Sequence, residues 1–263
     1  MSDFDSSGFV RVPDVFSAAD AGRMCERIWQ ELARRHGIRR EARGSWSVDQ
    51  PRHLQALRRS GAFDALASPV LIDAVDRLLG AGRWQRPRHW GDPLVSLPRA
   101  GPEWTVPYLQ WHIDWPARGS ARPLFALKVL AFAGPVAAGG GGTLILAGSH
   151  LLVERLVEKL PPDDRGHSSR VRELLARAHP WLRSLVENQP CGDRIQRFMR
   201  DGAVLDGVMV RVVELTGGPG EAIVFHPWLF HAPASNCSSE PRLMIGHNIN
   251  TARGLALYAT HAH

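Results

Sequence analysis

Between Leu94 and Ile249 the chain breaks into seven short apolar runs: 94–97, 106–115, 124–132, 143–146, 208–215, 222–225 and 243–249. Each is rich in β-branched, aromatic or leucine residues and is bounded by glycine, proline or polar turn residues. Runs of that length suit strands, because a strand needs only about five or six residues to cross a small domain. Repeated short strands with turns between them predict a sandwich or barrel. The four-glycine stretch Gly139–Gly142 reads as a tight hairpin turn between two of them. It is not a phosphate loop, since no Gly-Lys-Ser/Thr follows it.

The flanks read as helices. After a short strand in Gly8–Phe16, broken at Pro13, Ser17 opens a helix with Asp20 three residues on, as in a capping box. Ala21, Met24, Ile28 and Leu32 share one face, and Gly37 ends it. Ser68-Pro69 opens a second, with Val70, Leu71, Ala74, Val75, Leu78 and Leu79 at helical spacing before Gly80. Two amphipathic stretches, Leu151–Leu160 and Ser169–His179, interrupt the strands; Pro161-Pro162 splits them and Pro180 stops the second. They read equally as a lid over the barrel mouth or as a solvated insertion. The expectation is therefore one domain, 1–263, mainly β with flanking helices. Residues 1–82 give helical support, 83–150 and 208–252 the barrel strands, and 151–207 the insertion.

Composition narrows the classes. At 263 residues and 44% hydrophobic, the chain has enough material for a sizeable core. The net charge is +6, nearly all from arginine, with Lys128 and Lys159 the only lysines. The arginines are scattered among acids and form no long basic run, which disfavours a nucleic-acid partner. Cys25, Cys191 and Cys237 are odd in number and far apart, with no C-x-x-C. That argues against a disulfide framework or zinc knuckle and for a reducing compartment. With no apolar leader and no run of 18 apolar residues, the expectation is a cytoplasmic location and no membrane span.

The chemistry concentrates in Tyr108-Leu109-Gln110-Trp111-His112-Ile113-Asp114-Trp115-Pro116. Read as a strand, it places His112 and Asp114 on one face with Gln110, and Leu109, Trp111 and Ile113 on the other. An imidazole beside a carboxylate is two thirds of a facial metal site; two histidines and one carboxylate suit non-haem Fe(II) and oxygen chemistry. His226 and His231, in a corner after the strand at 222–225, are both candidates for the third ligand. Arg242 opens the next strand, where a guanidinium can hold the far carboxylate of a 2-oxo acid. Lys128 sits inside an apolar run, where lysine is rarely left unpaired. It either faces an anionic ligand or snorkels outward.

Taken together these pieces resemble the phytanoyl-CoA dioxygenase family of Fe(II)/2-oxoglutarate-dependent oxygenases. The matching residues are Gly8–Val12, Trp111–Trp115, Gly141-Gly142-Thr143-Leu144, Gly148-Ser149-His150, Gly220–Pro227, His231 and Arg242. The resemblance implies a double-stranded β-helix, a jelly-roll barrel. It implies Fe(II) on His112, Asp114 and His231, with Arg242 on 2-oxoglutarate and O2 as oxidant. Ala232 and Pro233 stand where the family often has glycine and serine, so the hydroxyl contact is either lost or taken over by Thr143 or Ser235. Gln110 and Lys128 are further candidate co-substrate contacts. Some family members leave the carboxylate position vacant for halide; Asp114 fills it, which implies hydroxylation, desaturation or rearrangement of a small-molecule substrate rather than halogenation, with hydroxylation the leading expectation. Asn248 stands where nucleic-acid demethylases often carry a second arginine. The competing reading is a non-oxidative metal-binding jelly roll, an isomerase or a binding protein.

Overall fold

The computed structural model describes residues 2–98, 103–161 and 166–259. Among the described residues nine strands form two antiparallel sheets. The major sheet has the order β1-β7-β3-β9-β2 and the minor sheet β5-β6-β4-β8. The strands are β1 Phe9–Val12, β2 Asp92–Ser96, β3 Ala126–Phe132, β4 Leu144–Ala147, β5 Ala203–Leu205, β6 Val208–Glu214, β7 Ala222–Phe225, β8 His231–Ala232 and β9 Arg242–Asn250. The helices are α1 Ser2–Ser7, α2 Ala18–His36, α3 Ala56–Arg59, α4 Pro69–Leu79, α5 Ser149–Lys159, α6 Ser168–Ala178, α7 Pro180–Val186 and α8 Ala252–Ala259. The expected class, mainly β with flanking helices in a jelly-roll-like arrangement, is what the chain adopts; among the described residues the two sheets do not close into one continuous barrel.

Strand alternation sorts the side chains into layers. Leu130 and Phe132 of β3, Ile223 and Phe225 of β7, and Met244 of β9 point inward and pack with Ile145 of β4. The alternate residues Leu127, Val129, Val224 and Ile245 point outward, where Met24, Ile28 and Leu32 of α2 and Leu71 and Val75 of α4 cover them. Each such fully buried aliphatic contributes about 1.5–3 kcal/mol of transfer free energy. The outer face of the minor sheet, Leu144, Leu146, Val210 and Val212, is covered by α5, α6 and α7 through Val153, Leu175 and Leu185. No helix among the described residues is long and apolar enough to cross a membrane.

The helix signals act as read. The Ser17 side chain accepts from the Asp20 N–H, and Gly37, at φ 68°, caps α2 in the left-handed conformation. Ser68 caps α4 with Pro69 in its first turn. Three expectations fail, and one hairpin reaches into the stretch expected to be the insertion. Val70 is 42% exposed, because only Leu71, Val75 and Leu79 form the buried stripe of α4. Pro180 does not simply stop α6; it starts α7, since its missing N–H costs nothing in a first turn. Gly139–Gly142 is not a hairpin, for β3 and β4 lie in different sheets. It is a crossover with backbones in close approach: a Cβ on Gly142 would lie 2.4 Å from the Leu215 carbonyl. Finally, β5 pairs with β6 through a tight turn at Asp206-Gly207, both with positive φ, a hairpin signal present in the sequence.

Candidate metal centre

The segment around His112 is not a strand. Its one ladder contact is an isolated antiparallel bridge between His112 and His231. The reason is local: Gln110 takes φ 63°, which ends extended geometry. Gln110 is exposed, so the alternation expected of a strand does not govern it, and Leu109 is 58% exposed where packing was expected. Trp111 and Ile113 are buried as expected.

The bridge brings the distant histidine in. His112 and His231 donate backbone N–H to each other's carbonyls, both at 3.0 Å. Their rings lie 4.2 Å apart, centroid to centroid. His231 also pairs in register with Ile145 of β4, whose side chain is in the inner core, so its imidazole enters the same space. Asp114 Oδ1 lies 3.5 Å from His112 Nε2 and 3.6 Å from His231 Nε2. One donor atom from each of the three residues lies within 4.8 Å of the others, a group able to hold a metal ion.

The imidazoles are set for that. His112 Nδ1 contacts the Gln110 carbonyl at 2.7 Å and His231 Nδ1 the Leu229 carbonyl at 3.0 Å. A carbonyl only accepts, so each Nδ1 carries the proton and each Nε2 presents its lone pair inward. Burial tends to lower the His112 pKa, but contact with Asp114 overrides it and the net shift is upward. His231 is deeper, and burial wins, lowering its value. Burial opposes ionisation of Asp114, yet His112, His231 and the charge of Lys128 hold its carboxyl far below the usual range.

Arg242 lies on β9 two residues before Met244, hence on the inward face. It is 6% exposed. Nη1 donates to the Gly141 carbonyl at 2.7 Å, while Nε has no partner. No carboxylate of the described residues pairs with it, and burial pulls its pKa down to about 10, so it stays charged near neutrality. A buried guanidinium without a counter-ion is costly unless an anion completes it.

The sequence pattern of the phytanoyl-CoA dioxygenase (PhyH) family matches residues 4–244. The chain belongs to that family. No curated protein matches its sequence. Solved structures are similar in fold. The non-haem α-ketoglutarate-dependent epimerase SnoN from nogalamycin biosynthesis matches at TM-score 0.53 and 17% identity, over 95% of this chain and 80% of that one. AviO1 from Streptomyces viridochromogenes matches at 0.55 and 16%, over 96% and 94%. EctD from S. alaskensis matches at 0.54 and 18%, over 96% and 75%.

Within this PhyH fold the other candidates separate. Lys128, on β3 with the inward parity of Leu130, brings Nζ to 2.7 Å from Asp114 Oδ2. Thr143 is buried just before β4, two residues ahead of inward-facing Ile145. Asn248 pairs across from Lys128, with its Oδ1 buried and unpartnered. His226 is elsewhere. Its Nδ1 accepts from the Trp228 N–H, and its Nε2 faces Glu154 at 3.7 Å, beside His150. It therefore neither joins the group nor supports it. Trp90 and Trp115 lie in the cores outside the major and minor sheets.

Two residues carry no sequence signal at all. The Ser168 hydroxyl accepts from the Ile113 N–H at 2.9 Å, and Arg172 Nη1 donates to the Trp111 carbonyl at 3.0 Å. The first turns of α6 thus brace the backbone on both sides of His112. Their partners are main-chain atoms, so no pairing of residue types could have announced them.

Proposed function

We propose that the protein is an Fe(II)- and 2-oxoglutarate-dependent dioxygenase that hydroxylates an unactivated C–H bond of a small molecule. The observation that carries this reading is Arg242: a charged, buried guanidinium with an unsatisfied Nε, on the same interior face as a two-histidine, one-carboxylate group. The donor set fits Fe(II) and leaves three positions open. The guanidinium fits the remote carboxylate of a 2-oxo diacid. The related folds agree in kind, for SnoN has been solved with Fe3+ and α-ketoglutarate, and EctD with 2-oxoglutarate and 5-hydroxyectoine.

In this reading His112, Asp114 and His231 hold the iron and Arg242 anchors 2-oxoglutarate. Once bound, iron and co-substrate together supply O2-driven oxidation of the substrate, with release of succinate and CO2. The protein supplies the rest. The Gln110 and Leu229 carbonyls fix both imidazole tautomers. The deep packing of His231, at 8% side-chain exposure, keeps water from that side, while His112, at 42%, faces the side open to substrate. Asp114 occupies the position that halide would need, which favours hydroxylation over halogenation. Thr143 and Asn248 line the co-substrate region. A non-oxidative jelly-roll protein has no use for Arg242.

The test is anaerobic addition of Fe(II) and 2-oxoglutarate. A weak visible charge-transfer band should appear, followed by O2-dependent succinate formation. Absence of the band, together with equal succinate from wild type and Asp114→Ala, refutes the reading.

A further inference from the structure

The two oxygens of Asp114 are not equivalent. Oδ1 converges on the imidazoles, 3.5 Å from His112 Nε2 and 3.6 Å from His231 Nε2. Oδ2 faces the other way, onto the ammonium of Lys128 at 2.7 Å. That contact is a close ion pair without the alignment of a hydrogen bond. Both side chains are largely buried, at 18% and 17% exposure, so water screens the pair little. Lys128 is held there by the sheet: it stands mid-strand on β3, paired with Phe225 on β7 and Asn248 on β9.

A free carboxylate can hold a metal ion through one oxygen or both. We propose that Lys128 is a positioning residue that caps Asp114 Oδ2, restricting the carboxylate to one metal bond and keeping three positions open. This rests on the function proposed above, which needs all three: two for a bidentate 2-oxo acid and one for O2. The cap differs in sign from the usual partner of a metal ligand. A carboxylate or carbonyl behind a ligand strengthens it as a donor. An ammonium draws charge from the carboxylate and repels the incoming cation. Lys128 thus trades metal affinity for open coordination. Direct contact with 2-oxoglutarate, as expected from the sequence, makes a different prediction.

The experiment titrates the full chain with Co(II), without 2-oxoglutarate, in wild type, Lys128→Met and Lys128→Arg. Co(II) affinity should rise about tenfold in Lys128→Met, since both the freed oxygen and the lost positive charge act in that direction. The Co(II) d–d absorption should change in shape as the second oxygen joins. 2-Oxoglutarate should then bind the Co(II)-loaded Met variant about tenfold more weakly, because it must displace that oxygen. Lys128→Arg, which keeps the charge, should restore wild-type behaviour in both. Lys128→Leu, which likewise offers no donor to Oδ2, should give the same signs as Met and replaces it if the Met variant does not fold. Unchanged or weaker Co(II) binding in the uncharged variants overturns the proposal; if only 2-oxoglutarate binding falls, Lys128 is a co-substrate contact instead. Failure of wild type itself to bind Co(II) any better than Asp114→Ala is a separate outcome, and overturns the metal centre with the proposal.

Discussion

His112 and His231 face each other as a doubly hydrogen-bonded antiparallel pair, and that single bridge is what turns two distant segments into one site. Opposed residues in such a pair send their side chains to the same face. Asp114 follows two residues on, and its Oδ1 closes the triangle.

Removing the carboxylate tests the triangle. Asp114→Ala should lower Ni(II) or Co(II) affinity by about 100-fold or more, since losing even a supporting partner of a ligand costs 10–100-fold. Isothermal titration calorimetry measures it. Affinity within threefold of wild type would show that the metal does not bind there.

Arg242→Met should separate binding from stability. Loss of a bidentate charge contact should weaken 2-oxoglutarate binding by about 2–5 kcal/mol, with metal affinity unchanged. The metal-free protein should become more stable, by about 1 kcal/mol, because an apolar side chain replaces a buried guanidinium that has no counter-ion among the described residues. Thermal melting without ligands checks the second effect; a marked fall in Tm would mean the guanidinium has a partner that makes it structural.

Acid should compete with the metal through one histidine. His112 titrates above its ordinary 6.5 and His231 below it. Above the raised value both imidazoles are neutral and metal displaces no proton. As the pH falls through it, His112 takes a proton that metal must displace, while His231 stays neutral. Log affinity should therefore be level at high pH and then fall with a slope of about one. A slope of two over the same range would contradict the two opposite shifts. The stability of the metal-free protein follows the same signs. The His112 contribution is present below 6.5 and lost as pH rises through its raised value. The Asp114 contribution is present above 3.8 and lost on strong acidification, because its folded value is lowered.

The brace from α6 should matter to the site more than to the fold. Arg172→Ala removes one charged hydrogen bond to the Trp111 carbonyl, worth about 1.5–3 kcal/mol. It should weaken Co(II) binding about tenfold, the lower end for partners that position a ligand. Ser168→Ala should act in the same direction and more weakly. If Tm falls while metal affinity is untouched, the brace serves the fold alone.

Much of this architecture was readable from local chemistry. Ser17, Asp20 and Gly37 bound α2 because caps act within a few residues of chain. The apolar runs at 124–132 and 243–249 announced strands through their composition and the turn residues that bound them, but the side taken by Lys128 was left open until the pairing of β3 with β9 set it inward opposite Asn248. The hairpin at Asp206-Gly207 carried its signal as well, in residues that tolerate positive φ.

His112, Asp114, Arg242 and the family pattern are properties of the sequence, fixed by residue type and order. Which of two nearby histidines meets Asp114 was decided by the fold. Strand pairing puts His231 against His112 and turns His226 toward Glu154. The fold also swings Gln110 into solvent through one positive φ, sets Lys128 on the outer oxygen of Asp114, and draws Ser168 and Arg172 to the backbone beside His112. These contacts join segments far apart in the chain, and a pattern of neighbours carries no record of which distant atoms will be brought within 3 Å of one another.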